Sequence, residues 1–290
     1  IGIMATSSVV DEVRPEGLGF FEALEGGRVS ASLRSRYEDV DEDTISAGKG
    51  AHASLLRTSF TYESGPYEFF SALIEVTNVA ALGWDSSYFS GSNGQNDDSL
   101  VADPEDTELS RYILSYDIAN TLFKYGRQSH TLDNGRFLGS EDFRMMPSTA
   151  SGITVRNESL NLLRLRAGHL YRFESSLGRD YFPGYDSINA NYFNAEYRGF
   201  IHSLLSLYYY GIENESRVSR WDTRTQGVRI AGKIENEPAI EYGIEYAQQR
   251  DAGQNPADYT ANYYLIEAGV TFSGFRVFAG REVLGADEEG

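Results

Sequence analysis

The side chains that could carry out chemistry in this chain are scattered rather than clustered. Cysteine is absent, which excludes disulfides and thiolate metal sites. Glu241 and Glu245 resemble a carboxylate pair, but four residues of a strand span ~13 Å, which is too far for glycoside hydrolysis. The sequence has no nucleophile elbow, P-loop or dinucleotide fingerprint, so we expect no enzymatic activity. The histidines also lack a metal-binding spacing: His52, His130, His169 and His202.

Basic residues instead alternate with apolar ones at a period of two. Arg164 and Arg166 alternate with Leu163, Leu165 and Ala167. A helix would spread these residues around its circumference, whereas a strand places the two kinds on opposite faces. Segments 240–246 and 264–272 show the same alternation, so the pattern predicts β-strands with one polar and one apolar face.

The chain contains about thirteen such segments, most of them close to the ~10 residues that cross a membrane at a tilt. Long and short connections alternate between them, as expected of a barrel with external loops and periplasmic turns. A soluble β-sandwich would also alternate along each strand, but it need not sort its loops by length. The register is ambiguous at 201–210, where both faces are apolar. The predicted strands are 28–40, 51–63, 66–78, 108–118, 120–128, 152–158, 160–173, 188–198, 200–211, 223–235, 239–250, 260–272 and 275–284.

Composition agrees with a cell-envelope location. The 25 basic and 43 acidic residues give a net charge of −18, which argues against nucleic-acid binding. The 20 tyrosines suit water–lipid interfaces. We therefore predict an all-β, antiparallel up-and-down transmembrane β-barrel of the bacterial outer membrane. We assign residues 1–27 to an N-terminal periplasmic segment and 28–290 to the barrel. The odd strand number predicts either that closing strands follow Gly290 or that one strand is miscounted.

Several short segments occur in a characteristic order: Leu55, Arg57 and Thr58; Phe70–Glu75; Val101–Pro104; Gly126–Gln128; Leu132–Gly139; Asp258–Tyr259; and Glu282–Gly285. In this order the chain resembles the alginate-export family of outer-membrane porins. The resemblance implies a barrel of about eighteen strands whose cation-lined lumen passes a polyanion. The segment Glu141–Met146 departs from the Trp-Arg-Gln-Asn-like stretch that family members carry there.

The parity of the strands turns more basic than acidic side chains into the lumen. A cationic wall in a narrow aqueous channel favours anions, because the low-dielectric surround concentrates the field. We therefore expect a channel for small or polymeric anionic solutes, such as uronate-type polysaccharide or organic acids. Alternatively, these arginines pair with luminal glutamates and only solvate the wall. The candidate pore-lining residues are Arg111, Lys124, Arg156, Arg164, Arg166, Arg172, Arg229 and Lys233.

The long segment 129–151 could fold inward as a constriction or cap the outside, and we favour the constriction. Its candidate residues are His130, Asp133, Arg136, Asp142 and Arg144. Five acids could bind Ca²⁺, although their spacing lacks a calcium-loop pattern and better fits a solvated surface: Asp97, Asp98, Asp103, Glu105 and Asp106. The expected partners are outer-membrane lipid, lipopolysaccharide and the solute. The competing function is an adhesive or structural barrel with a plugged lumen and partner-binding acidic loops.

Overall fold

The fold is a single antiparallel sheet of thirteen strands, each paired with its neighbours in sequence order. A computed structural model describes residues 19–41, 50–83, 86–140, 142–177, 187–214 and 221–285. In this part of the chain β1 and β13 form the two edges of the sheet. The strands are β1 Arg28–Val40, β2 Ala51–Glu63, β3 Phe70–Ala81, β4 Asp106–Ile118, β5 Thr121–Gln128, β6 Thr149–Asn157, β7 Leu163–Glu174, β8 Ile188–Phe200, β9 Ser203–Asn214, β10 Thr223–Ile234, β11 Ala239–Asp251, β12 Thr260–Phe272 and β13 Phe275–Leu284.

The predicted strands and the alternation of long and short connections are confirmed, with shifts at three turns. β3 begins at Phe70 rather than at residue 66, because Tyr67 pairs with Phe70 in a turn. β7 begins later than predicted because Leu162 lies in the turn with φ 62°. The turn expected at Gly199 lies instead at 201–202, where His202 has φ 61°.

The two faces of the sheet differ in polarity, as the period-two pattern requires. Apolar side chains on the outward face are exposed, for example Leu33, Phe60 and Ile244. The segment 201–210, whose register was ambiguous, is resolved by β9: Tyr208 and Tyr210 are buried on the inward face, and Leu207 is exposed on the outside. This division is that of a membrane barrel, with an apolar band toward lipid and a polar lumen.

β5 and β6 are the shortest strands of the described sheet, with 8 and 9 residues. On one side β4 extends farther toward the long loops, since its pairing with β5 ends at Tyr112 and Arg127 while β4 itself begins at Asp106. On the other side β7 ends level with β6, because Glu174 pairs with Thr149. The connecting loop 129–148 therefore leaves the wall below the upper end of β4, and its contacts lie on the inner face of the sheet.

A short helix, α1 Phe20–Glu25, precedes β1, where the sequence pattern predicted no helix. It contacts the short-turn end of the sheet, because Tyr62 donates to the Leu24 carbonyl at 2.7 Å and Gly65 N donates to the Ala23 carbonyl at 2.8 Å. Residues 1–18 lie outside the described residues, so the periplasmic assignment of 1–27 and the domain boundary remain predictions. None of the described helices is long and apolar enough to cross a membrane.

Candidate functional site

One side of loop 129–148 lies against the inner face of β8–β13. Asp133 Oδ2 accepts hydrogen bonds from Asn194 Nδ2 at 2.8 Å and from the Tyr210 hydroxyl at 3.0 Å. Asn134 Nδ2 donates to Glu245 Oε2 at 2.8 Å. Buried aromatic and aliphatic side chains pack around this contact: Leu132, Phe137, Tyr192, Tyr208, Tyr210 and Tyr263.

The other side of the loop reaches the inner face of β1 and β2. Arg57 Nη1 lies 2.5 Å from Asp142 Oδ1, and Arg34 donates to the Asp142 carbonyl at 2.5 Å. Arg36 lies over the Phe143 ring, with 4.4 Å between the guanidinium carbon and the ring centroid. Met145 is fully buried among apolar residues of β2, including Leu55. The loop thus spans the inner space between two distant parts of the sheet.

Asp103 links this loop to the long β3–β4 loop, 82–105. Its side chain is fully buried, and its Oδ1 accepts a hydrogen bond from Met145 N at 2.7 Å. Its Oδ2 lies 3.6 Å from Arg36 Nη1 and 3.5 Å from Arg144 Nη1. Tyr88, also buried in this loop, donates to the Asp103 carbonyl, and burial raises the pKa of Tyr88 to about 12.

The five acids considered for Ca²⁺ are not brought together. Asp103 departs from the expected solvated surface, because it is fully buried and faces the half-buried Arg36 and Arg144. Asp98 accepts a hydrogen bond from the Ser87 hydroxyl at 2.7 Å, and Glu105 accepts one from Ala81 N at 2.8 Å. The remaining two, Asp97 and Asp106, are exposed. Within the described ranges no three His, Cys, Asp or Glu side chains are grouped so as to hold a metal ion.

Five of the predicted pore-lining residues form a row on the inner face of β4–β7, which we call the basic row: Arg111, Lys124, Arg156, Arg164 and Arg166. Lys124 pairs in register with Ser115 of β4, and Arg156 pairs with Leu122 of β5 and Arg166 of β7. Arg111 lies four residues from Ser115 toward the long-loop end. The row therefore steps down the wall, from the level of the loop toward the short turns.

Carboxylates partly neutralise the basic row. Arg111 is paired with Glu75, which also accepts hydrogen bonds from Thr61 and Ser110, each at 2.8 Å. Both Ser110 and Arg111 reach Glu75 because the register shifts at Glu75/Val76, a β-bulge that re-aims consecutive side chains. This pair is neutral overall.

Farther along the row, positive charge is in excess. Three arginines of the row and the neighbouring Arg198 share two carboxylates among the described residues, Glu158 and Glu196. The three in the row are Arg156, Arg164 and Arg166. The distances from Arg164 to Glu158 and Glu196 are 2.5 Å and 3.2 Å. Glu158 lies in the β6–β7 turn, and its hydrogen bond with Arg164 lowers its pKa. Lys124 has no carboxylate within 4.0 Å in the part of the chain that is described.

The other three predicted pore-lining residues lie apart from the basic row. Arg229 on β10 pairs with Glu245 at 2.9 Å and Glu267 at 3.0 Å. Lys233 lies near the β10–β11 turn, 3.5 Å from Glu235. At the long-loop end of β7, Arg172 Nε is 2.7 Å from Glu174. For these three residues the geometry agrees with the alternative that luminal arginines pair with glutamates.

His130, the second residue of loop 129–148, lies close to the basic row. Its ring lies 4.7 Å from that of Tyr192, centroid to centroid. Burial, with smaller contributions from Arg166 and Lys124, lowers the pKa of His130 to about 4. The imidazole is therefore neutral at neutral pH.

A cavity of about 360 Å³ remains between loop 129–148 and the β1–β4 wall. Hydroxyl groups, two arginines and two carboxylates line this cavity. Its lining includes Ser32, Arg57, Ser59, Glu75, Arg111, Thr131, Ser140, Asp142 and Ser148. It joins the upper end of the basic row through Arg111.

Asp133 and Arg136 of the loop were predicted from the sequence, but their partners on the wall were missed. Asn194, Tyr208 and Tyr210 are inward-facing and buried, and the predicted Arg136 lies 3.4 Å from Glu282 and over the Tyr263 ring. Tyrosines at inward positions of an otherwise polar lumen were an available signal, because large aromatic side chains there need a packing partner.

Solved structures of outer-membrane channels share this fold. Pseudomonas aeruginosa OccD3 (OpdP) has 18% sequence identity and a TM-score of 0.67, with 93% of this chain and 60% of that chain covered. Acinetobacter baumannii OccAB2 has 14% identity and a TM-score of 0.72, covering 91% of this chain and 68% of that one. This chain thus spans about three fifths to two thirds of these neighbours. No curated protein matches the sequence.

The expected membership of the alginate-export family is wrong. The family model described as outer membrane porin, OprD family, matches residues 24–280. Of the segments that suggested the other family, Phe70–Glu75 and Gly126–Gln128 lie on β3 and β5, whereas Val101–Pro104 and Leu132–Gly139 lie in the two long loops 82–105 and 129–148. The expectation of a polymeric cargo rested on that resemblance and is withdrawn with it. From the match over nearly the whole sequence, the chain belongs to the OprD family of outer membrane porins.

Proposed function

We propose that this chain forms the wall of a passive channel that favours small anionic solutes, with organic acids as the class best suited to it. The observation that carries the proposal is the excess of positive charge on the basic row. Three arginines of the row and the adjacent Arg198 share two glutamates, and Lys124 has no carboxylate within 4.0 Å among the described residues. A low-dielectric surround strengthens the attraction of such a wall for a passing anion.

In this proposal loop 129–148 is the constriction. It is held at both ends, by Asp133 on β8–β9 and by Asp142 on β2, and so it narrows the inner space without closing it. The cavity of about 360 Å³ beside the loop would admit a small hydrated anion and present Arg57 and Arg111 to it. The same cavity argues against the alternative of a plugged, adhesive barrel.

Reversal potentials test the proposal. The full-length protein that contains this sequence is reconstituted in planar bilayers, and the reversal potential is recorded across a KCl gradient. We expect anion preference, which falls several-fold in the Lys124→Gln/Arg156→Gln double variant. Lys233→Gln is the matched control, because it also removes a luminal cation but lies outside the basic row. Cation preference of the unaltered protein contradicts the proposal, and a folded barrel without conductance supports the plugged alternative.

A further inference from the structure

The outward face of β11 changes in character toward the long loops. Ile244 is followed at alternate positions by Tyr246, Gln248 and Arg250, all on the outside. Tyr246 lies against Tyr264, with 5.2 Å between ring centroids. The sequence along the strand is thus apolar, aromatic, amide and cationic, which follows the order of layers at a membrane surface.

Arg250 lies directly opposite a second arginine. It pairs in register with Arg224 of β10, and both side chains are exposed on the outward face. Arg250 Nε donates to Gln248 Oε1 at 2.9 Å, but neither guanidinium has a carboxylate within 4.0 Å in the described parts of the chain. Like charges directly opposite one another destabilise a sheet unless an anion compensates them.

This pair contrasts with the arginines on the inner face. Arg111, Arg164, Arg166 and Arg229 each have a carboxylate partner within 4.0 Å. A chain with a net charge of −18 has ample acids to neutralise two more arginines. Because no acid among the described residues lies within 4.0 Å of the pair, an anion bound from outside the chain would balance its charge.

Tyr209 lies beside the pair on the outward face. Arg224 pairs in register with Gly211 on β9, and the Tyr209 ring extends over Gly211, with its hydroxyl 3.2 Å from the position that a Cβ would take there. Tyr209 and both arginines are exposed on this face. A headgroup can therefore approach Arg224 and Arg250 from the lipid side, next to the Tyr209 hydroxyl.

The height of the pair identifies the ligand class. Arg250 is four residues beyond Tyr246, or ~13 Å along the strand and roughly 9 Å above the aromatic rings at a 45° tilt. Rings of this kind mark the boundary of the hydrocarbon, so the guanidinium groups lie at the level of lipid headgroups. We propose that Arg224 and Arg250 bind the phosphate of an anionic outer-leaflet glycolipid, since guanidinium forks match phosphate oxygens bidentately.

Lipid binding by the full-length protein tests this site. Native mass spectrometry in detergent measures the affinity for lipid A that carries two phosphates, and for the same lipid after dephosphorylation. We expect the Arg224→Gln/Arg250→Gln double variant to bind the phosphorylated lipid roughly 100-fold more weakly, about tenfold for each arginine. Arg28→Gln, at the short-turn end, is the matched control and should leave the affinity unchanged.

Three outcomes overturn the proposal: equal affinity of the double variant, an equal loss in Arg28→Gln, or equal binding of the dephosphorylated lipid. Inorganic phosphate as a competitor separates a lipid site from a simple anion site, because full displacement at millimolar phosphate shows that the acyl chains contribute nothing. If the double variant does not fold, each single variant should still lose about tenfold in affinity. The reversal potential should not change, so failure of this site is distinct from failure of the proposed channel function.

Discussion

Replacing Asp133 with alanine removes both hydrogen bonds that hold the turn of loop 129–148 to β8 and β9. The Asp133 carboxylate accepts from Asn194 at 2.8 Å and from Tyr210 at 3.0 Å. Hydrogen bonds to a charged group contribute roughly 1.5 kcal/mol each at the lower end, so docking of the loop should weaken by about 3 kcal/mol. Asp133 also has φ 51°, a conformation that alanine adopts less readily than aspartate or asparagine.

Limited trypsin digestion measures this change, because Arg136 becomes cleavable only when the loop leaves the wall. When opening and closing are faster than cleavage, the cleavage rate follows the population of the open loop. A weakening of ~3 kcal/mol predicts an increase of roughly 100-fold in the rate of cleavage after Arg136. Asp133→Asn keeps one acceptor oxygen and tolerates the positive φ, so its increase should be about tenfold or less. Equal cleavage of the unaltered protein and Asp133→Ala would refute the docking role.

Three further predictions concern the same loop and the wall beside it. Because His130 is neutral when docked and its pKa is lowered to about 4, docking should be complete above its ordinary pKa of 6.5. Docking should weaken as the pH falls from 6.5 toward 4, and current noise should rise over that range in the unaltered channel but not in His130→Gln. Met145→Ala removes a fully buried side chain, a loss of about 2 kcal/mol or more, and should speed cleavage after Arg144 more than tenfold. Gly126→Ala places a Cβ 2.0 Å from the Tyr112 carbonyl oxygen, so the heat-modifiable folded form should be largely lost on gels.

The strands and their two faces were predictable because a period of two encodes them directly. In β11, for example, Ile244 and Tyr246 fall on one face and Glu245 on the other, and a register slip would expose the wrong set to lipid. The basic row followed from the same parity. The residues of the basic row lie side by side because consecutive strands pair, which is the usual arrangement in an up-and-down barrel.

The docking of the loop and the sharing of charges could not be predicted in this way. Asn134 reaches Glu245 across 111 residues of sequence, through an irregular segment that has no periodicity to read. Glu196 forms ion pairs with three arginines because the register of β7 and β8 brings them together. The sequence of either strand alone does not determine that register. Short segments were an unreliable guide to the family, because a few residues each suggested one porin family whereas the pattern over residues 24–280 matches another.

The most direct test of the anion path changes the charge of the basic row in opposite directions. Glu196→Gln removes a negative charge beside the row, and Lys124→Glu replaces a positive charge of the row with a negative one. The positive potential along the wall should therefore rise in Glu196→Gln and fall in Lys124→Glu. Reversal potentials in a KCl gradient should shift toward greater anion preference in Glu196→Gln and toward cations in Lys124→Glu, relative to the unaltered channel. Shifts of the same sign, or none in either variant, would contradict an anion path along β4–β7.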